Sequence, residues 1–452
     1  MTLNASGPIS LGGTTTGASI NLELSQAATA TVSLNDANVR SLAGVASGAI
    51  IMPTNFYGKS VGFTYWQQLQ SSNTYFSLAS VGFDSSDNYY SAMNGSANGA
   101  TFNKVASLGA NQFTRRFTSS TYTRMVTTAA GNSYIAGYTL FGGTLVKYNS
   151  SGVLQWQRSI SASGLVNCEG ICLDASENVY VGGWDSAGAS MFIMSFTSAG
   201  TQRWVRNILP AVTPDPRIAL TSFAGGTGIA YMFIAGSGSG GANNICAGTY
   251  NTSGVVQGQI ALVSPTRILS NNYISLTSLG SDFLFGFPTF NTAGSANYQE
   301  YLTYNTAIGW QKELNAGGAG NFVEEVSNDG TAYYSSGRAT GFTGPSFVKL
   351  NASTGAIIAQ RYINNGTSTG VSGVTAGATQ LALGSQQNTV GSYMYKAPLN
   401  MSFGLSTSLT SATSDFVAGT VAVTDSAGTQ TSSISTRTEA AFAGSYTLTQ
   451  LT

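Results

Sequence analysis

The sequence predicts an all-β chain: a seven-bladed β-propeller with small N- and C-terminal β-rich appendages. Two recurring phrases predict it. The first is Lys147-Tyr148-Asn149-Ser150-Ser151-Gly152-Val153-Leu154-Gln155-Trp156, a turn glycine followed four residues later by tryptophan in an alternating strand. Forty-eight residues on it returns, with Gly200 and Trp204 again four apart. Equivalent positions fall at Trp66, Phe113, Trp156, Trp204, Gly258, Trp310 and Ala359, spaced by 47, 43, 48, 54, 52 and 49 residues. That spacing suits a four-stranded blade of about 40–50 residues, and four of the five tryptophans share the position. The second phrase is a polar turn opening an aromatic strand, as in Asp87-Asn88-Tyr89-Tyr90, Gly131-Asn132-Ser133-Tyr134, Glu177-Asn178-Val179-Tyr180 and Gly330-Thr331-Ala332-Tyr333-Tyr334.

Residues 1–60 precede the repeat. Alternation predicts strands at 20–24 and 30–34. Asn35-Asp36 then caps a short helix through Val39, Arg40 and Leu42 that stops at Gly44, and a turn follows at 53–57. Residues 61–400 carry the propeller. Its first strand, 63–69, has no blade before it, and its last repeat, 364–400, has no strand of the tryptophan type. Strand 63–69 is therefore expected to complete the last blade and close the ring, which removes two open edges. Residues 401–452, rich in Thr, Ser and Ala, show strand-like stretches at 416–418, 420–423 and 445–448. They predict a small β appendage, placed by ring closure to pack with residues 1–60.

Two resemblances accompany these patterns. The paired phrases are similar to a family of bacterial propeller repeats with an Asp-x-x-Gly-Asn-x-Tyr turn and a later Lys-x-x-x-x-Gly-x-x-x-Trp; blades two and three match best, and four and five have drifted. The N-terminal run Gly7-Pro8-Ile9-Ser10-Leu11-Gly12-Gly13, Ile20-Asn21-Leu22-Glu23-Leu24, Ser33-Leu34-Asn35-Asp36, Arg40-Ser41-Leu42-Ala43-Gly44 and Phe56-Tyr57-Gly58-Lys59-Ser60 resembles a module of tail and minor virion proteins of tailed bacteriophages. That resemblance covers about 60 residues and implies docking onto other tail or baseplate proteins. It also implies location in the virion tail, synthesis in the host cytoplasm with release by lysis, and assembly as a homo-oligomer.

Composition narrows the chemistry. Formal net charge is zero, and charged residues make up 8% of the chain against the roughly 25% usual in soluble domains. The 18 basic residues are scattered, so nucleic-acid binding through phosphates is not expected. No apolar stretch reaches the 18 residues of a membrane span, and the first residues lack a secretory pattern. Histidine is absent, which removes Ser-His-Asp and Cys-His catalysis and imidazole metal sites. Cys168, Cys172 and Cys246 are expected to be free and buried, the first two on one side of a strand. No cofactor and no metal site is expected.

The remaining candidates are few. Glu324 and Glu325 lie on an innermost strand, Glu324 ten residues before Tyr334 as Arg124 is ten before Tyr134, so all three are placed in the central channel. A glycosidase would use two such carboxylates as acid and base; solvated or mutually neutralised channel residues are the plainer alternative. Ser327-Asn328-Asp329-Gly330-Thr331 has a sialidase-like flavour but is shorter than that motif and reads as a turn. Asp84-Ser85-Ser86-Asp87-Asn88 offers oxygens to calcium but lacks the closing glutamate of an EF-hand. The fixed register of the tryptophans argues for packing between blades rather than sugar stacking. Trp184 falls outside that register, past Gly182-Gly183 and beside Asp185, with Tyr138 at the matching place one blade earlier. These three are the binding candidates, for a host surface glycan or protein. The expected function is thus a tail-fibre or baseplate-associated virion protein for host attachment, without catalysis. An envelope-polysaccharide-degrading enzyme and a purely architectural fibre or cement protein are the alternatives.

Overall fold

In the computed structural model the chain divides into two compact units, Met1–Tyr65 and Trp66–Thr452. The structure describes residues 3–57 except 16, 25, 26 and 46, then 67–71, then 76–401 apart from short connections, and seven short segments between 405 and 450. Trp66 and Gly109, both part of the repeat pattern, lie outside the described residues.

The first unit is not β-rich as expected. Ile20–Glu23 is a helical turn, because Ser19 takes the N-cap position and its hydroxyl accepts from the Leu22 amide. The apolar alternation of Ile20, Leu22 and Leu24 is local coincidence: Ile20, Asn21 and Glu23 are the buried residues. Residues 30–34 form no strand. The second helix, Ala37–Ala43, follows the predicted Asp36 cap and ends at Gly44, whose φ is +71°. A 3₁₀ turn occupies Thr54–Phe56. Leu3, Ile20, Val39, Leu42 and Phe56 form the unit's own core.

The second unit is a seven-bladed β-propeller. Its antiparallel sheets span 76–117 (blade 1), 120–161 (blade 2), 166–209 (blade 3), 218–263 (blade 4), 267–315 (blade 5) and 322–362 (blade 6). Blade 7 takes three strands from 372–398, and its fourth is Gln67–Ser71 from the start of the ring, paired with Gly391–Pro398. The predicted closure is therefore present. Phe113, Trp156, Trp204, Gly258, Trp310 and Ala359 all lie on the fourth strand of their blades.

The tail differs from the expected appendage. Leu405–Ser406 pairs with blade 6, Thr410–Ala412 with blade 5, Val417–Gly419 with blade 4, Thr424–Ala427 with blade 3, Thr431–Ile434 with blade 2, Ala440–Ala441 with blade 1 and Thr447–Gln450 with Gln67–Ser71. Each adds an outermost antiparallel strand, the fifth in six of the sheets and the sixth in that of blade 5, so the tail runs backwards around the ring as a belt. Its register repeats: Ala427, Ile434 and Ala441, seven apart, face the residue two past the aromatic position of blades 3, 2 and 1. Seven extended residues reach at most about 25 Å, which sets the step from one blade edge to the next.

Inner strands carry a bulge near the channel. It falls at Cys168/Gly170 in blade 3, and equivalents lie at Leu78/Ser80, Tyr122/Arg124 and Val323/Glu325. One extra residue inverts the alternation beyond it. Cys168 consequently packs in the core between blades 2 and 3, whereas Cys172 packs between blades 3 and 4. The expectation that both share one side of the strand fails for this reason. All three cysteines are free and buried.

Candidate functional site

The repeated phrases build the seams between blades. The Trp156 ring covers Gly200 in the next blade's hairpin turn, and its Nε1 donates to the Ser198 carbonyl at 3.0 Å. Trp204 does the same over Gly254 with the Thr252 carbonyl at 3.0 Å, and Trp310 over Gly355 with the Ala352 carbonyl at 2.8 Å. Phe113 covers Gly152. Two residues past the aromatic, Arg115, Arg158 and Arg206 donate through Nε to the carbonyls of Gly152, Gly200 and Gly254. The glycine is required twice over: φ at Gly200 is +81°, and a Cβ there would sit 2.8 Å from the Trp156 ring. The tryptophans thus hold blades together, as their fixed spacing indicated.

The second phrase organises a hairpin. Asp84 accepts from the Ser86 and Asn88 amides, the Asn88 side chain and the Tyr90 hydroxyl; Asp174 repeats the set with Ser176, Asn178 and Tyr180. Burial pushes the Asp84 carboxyl up, but those hydrogen bonds outweigh it and hold it below the usual range. The Asp84 oxygens are thus engaged within the hairpin turn. Among the described residues no cluster of three or more acidic or thiol groups could hold a metal ion.

The channel brings Arg124, Glu324 and Glu325 together. Arg124, from blade 2, donates to the Glu324 carbonyl of blade 6 at 3.3 Å. Glu325 accepts from the Val374 amide of blade 7 at 2.8 Å and from Ser80 Oγ of blade 1 at 3.4 Å. Glu324 is the bulged residue, buried, with Oε1 3.5 Å from Arg338 Nε. By strand pairing, the counterpart of Arg124 is Glu325, not Glu324, since both follow the bulge. Counting back from the tyrosines misplaced it because the blade 6 turn is one residue shorter. Desolvation raises the Glu325 carboxyl to about 7, against the pull of the Arg124 guanidinium, the Val374 amide and Ser80; Glu324 adds a smaller push upward.

Trp184 and Asp185 are not in a loop: they end the second strand of blade 3, Val179–Asp185. Trp184 is half-buried and packs against the core between blades 3 and 4, its Nε1 buried without a partner. Asp185 is buried. Tyr138 occupies the matching position in blade 2, half-buried, opposite Thr121 and Gly143. Ser186 and Gly188 lie outside the described residues.

Two seams lack the aromatic. In blade 6 its place is taken by Ala359, which packs against the core shared with blade 7. Blade 4 carries Gly258, and the facing connection of blade 5, from Tyr304 to Ile308, is two residues shorter than that from Tyr148 to Leu154. A cavity of about 530 Å³ opens there. The sequence held the signal, a glycine in a tryptophan column, but it read as drift.

No protein-family model and no curated protein matches the sequence. Solved structures similar to the chain include the Dos1 propeller (12% identity, TM-score 0.44, covering 75% of this chain and 97% of that one). Hydrazine synthase from Kuenenia stuttgartiensis matches at 12% identity and TM-score 0.43, covering 68% of this chain and 92% of that one. The polysaccharide lyase Uly1 matches at 6% identity and TM-score 0.47, covering 71% of this chain and 90% of that one. The likeness is one of fold.

Proposed function

We propose that the protein is a structural component of a tailed-phage virion, associated with the tail fibre or baseplate, that displays its propeller for attachment to a glycan or protein of the host surface. The resemblance of residues 1–60 to tail-protein modules carries this reading. A surface with few charges and many amides and hydroxyls supports it, since such surfaces make weak polar contacts that gain strength by multiplicity. Blade edges covered by a belt suit a protein exposed outside a cell. Mass spectrometry of purified particles, with cryo-imaging, tests the location; absence from particles overturns it. Free protein should block adsorption, and a protein present in particles that does not compete is architectural.

A second reading, cleavage of envelope polysaccharide, draws on Glu325, whose carboxyl near 7 has the protonation balance of a general acid. Shortening of host polysaccharide by the purified protein, abolished in Glu325→Gln and Glu324→Gln, would establish it. Intact chains after prolonged incubation would remove it.

A further inference from the structure

We propose that the cavity between blades 4 and 5 is a binding site for a neutral saccharide. At the seams of Phe113, Trp156, Trp204 and Trp310 the space is filled by the protein itself. Trp204 lies against Tyr250 of the next blade, with ring centroids 6.1 Å apart, and Tyr148, Phe196 and Tyr250 at this position are fully buried. Tyr304 is their counterpart in blade 5, at the same place before the hairpin bulge. With Gly258 opposite, no indole lies over Tyr304 from blade 4, and it is half-buried on the cavity wall. The shortened turn also has no glycine for an indole to cover. Both halves of the lock are missing from one seam, leaving room for a ring the chain does not supply.

The lining defines the class of guest. Phe223 and Tyr304, both half-buried, contribute aromatic surface, against which the C–H face of a pyranose packs. Asn251, Gln257, Gln259 and Asn305 contribute amides held in place by the protein: Asn251 Oδ1 accepts from the Ser253 and Val255 amides, Gln257 Nε2 donates to the Val255 carbonyl, and Asn305 Nδ2 donates to Ser281 Oγ and Asp282 Oδ1; each amide also carries the opposite hydrogen-bonding group for a sugar hydroxyl. Gln259 Nε2 already reaches the Tyr231 hydroxyl at 3.2 Å. No charged side chain is among the lining residues, which disfavours phosphates and acidic sugars. The volume is in the range of about 300–1,000 Å³ usual for small-ligand sites. The belt strand Val417–Gly419 pairs with blade 4 at Ala261–Val263, past Gly258.

The inference deepens the attachment reading and rests on it only for the source of the sugar. The direct test is Gly258→Trp, which restores the aromatic found at four other seams. A Cβ at Gly258 meets nothing closer than Thr249 Oγ1 at 3.7 Å, so the ring enters without a clash at its root. Binding of methyl glycosides and linear oligosaccharides of glucose, galactose, mannose and N-acetylglucosamine is measured on the full chain by calorimetry and saturation-transfer NMR. Wild type is expected to bind at least one neutral saccharide; Gly258→Trp and Gln259→Ala are expected to bind it at least tenfold more weakly, with unchanged Tm or, for Gly258→Trp, a higher one. No binding by wild type, or undiminished binding by a folded Gly258→Trp, overturns the proposal. Adsorption of free protein to host cells, run in parallel, separates the two ideas: adsorption by a wild type that binds no saccharide rejects this site and spares the attachment reading. Saccharide binding that depends on Gly258, without adsorption, supports the site and rejects attachment.

Discussion

Replacing Trp204 isolates what one seam contributes. The side chain is half-buried, donates to the Thr252 carbonyl at 3.0 Å, covers Gly254, and contacts Tyr180 and Tyr250 at centroid distances of 5.7 and 6.1 Å. Trp204→Phe keeps a ring and removes the N–H donor, so it should cost about 1 kcal/mol. Trp204→Ala also opens the seam. Full burial would put this at about 3–5 kcal/mol; partial exposure brings it to about 2–3 kcal/mol. With an unfolding entropy of about 2.1 cal/mol/K per residue, a ring of this length should lose about 3 °C in Tm. Urea titration gives the free energies, and hydrogen exchange at the Gly254 amide, which donates to Asn251, reports the local opening. A loss below about 0.5 kcal/mol in Trp204→Ala would refute the seam role. Equal losses in the two variants would show that the hydrogen bond, and not the ring, carries it.

Three further outcomes follow from particular contacts. Asp329→Ala removes the acceptor of the Thr331 and Ala332 amides and the Tyr334 hydroxyl, and should cost about 2 kcal/mol by urea titration at neutral pH. Burial raises the Asp329 carboxyl, but the Tyr334, Thr331 and Ala332 bonds outweigh it and lower it overall, so the difference should fade as pH falls below about 4. Glu325 has the opposite sign: its folded value near 7 exceeds its unfolded one, so the native state binds more protons between about 4.5 and 7 and wild-type stability should fall as pH rises through that window; Glu325→Gln should flatten the Tm profile there, and an unchanged slope counts against the channel assignment. Truncation after Met401 should leave a folded ring, because blade 7 is closed by Gln67–Ser71, but should expose seven strand edges and produce concentration-dependent association in sedimentation velocity; a truncated chain that stays monomeric contradicts an edge-covering role.

Blade number, strand order and ring closure were legible because the aromatic of one blade covers the turn glycine of the next, Phe113 over Gly152, Trp156 over Gly200, Trp204 over Gly254 and Trp310 over Gly355, and a contact repeated at four seams fixes its own spacing. Local alternation was less trustworthy. Ile20-Asn21-Leu22-Glu23-Leu24 alternates, yet a single Ser19 cap turns it helical. The bulge at Glu169 was invisible, since one unpaired residue changes no composition, and it sent Cys172 to the opposite face from Cys168. The belt was hidden for a different reason: its strands are two to four residues long and pair through backbone groups, so its period of seven leaves only a faint mark on side-chain identity. For the candidate site, the count from Tyr134 and Tyr334 paired Arg124 with Glu324, whereas strand pairing makes Glu325 its counterpart, because the blade 6 turn is one residue shorter. Trp184 proved to be a strand residue, and the seam at Gly258 was passed over because the eye looks for what a repeat contains, not for what it omits.

The two chain termini of the propeller unit meet in blade 7, which has consequences for how the ring holds together. A ring closed by one strand pair can open wherever that pair frays, and here the closing pair joins Gln67–Ser71 to Gly391–Pro398. The outer side of Gln67–Ser71 is occupied in turn by Thr447–Gln450, the last strand of the belt. The closing strand is therefore central in its sheet, not an edge, and freeing it breaks two ladders at once. The belt reaches blade 7 only after touching blades 6 through 1 in descending order, so its final pairing requires all six to be in place. Closure by the first strand and sealing by the last make the complete ring, rather than any single blade, the unit that is stable. A surface built this way can tolerate one seam left unfilled, and the seam at Gly258 is where the structure makes use of that tolerance.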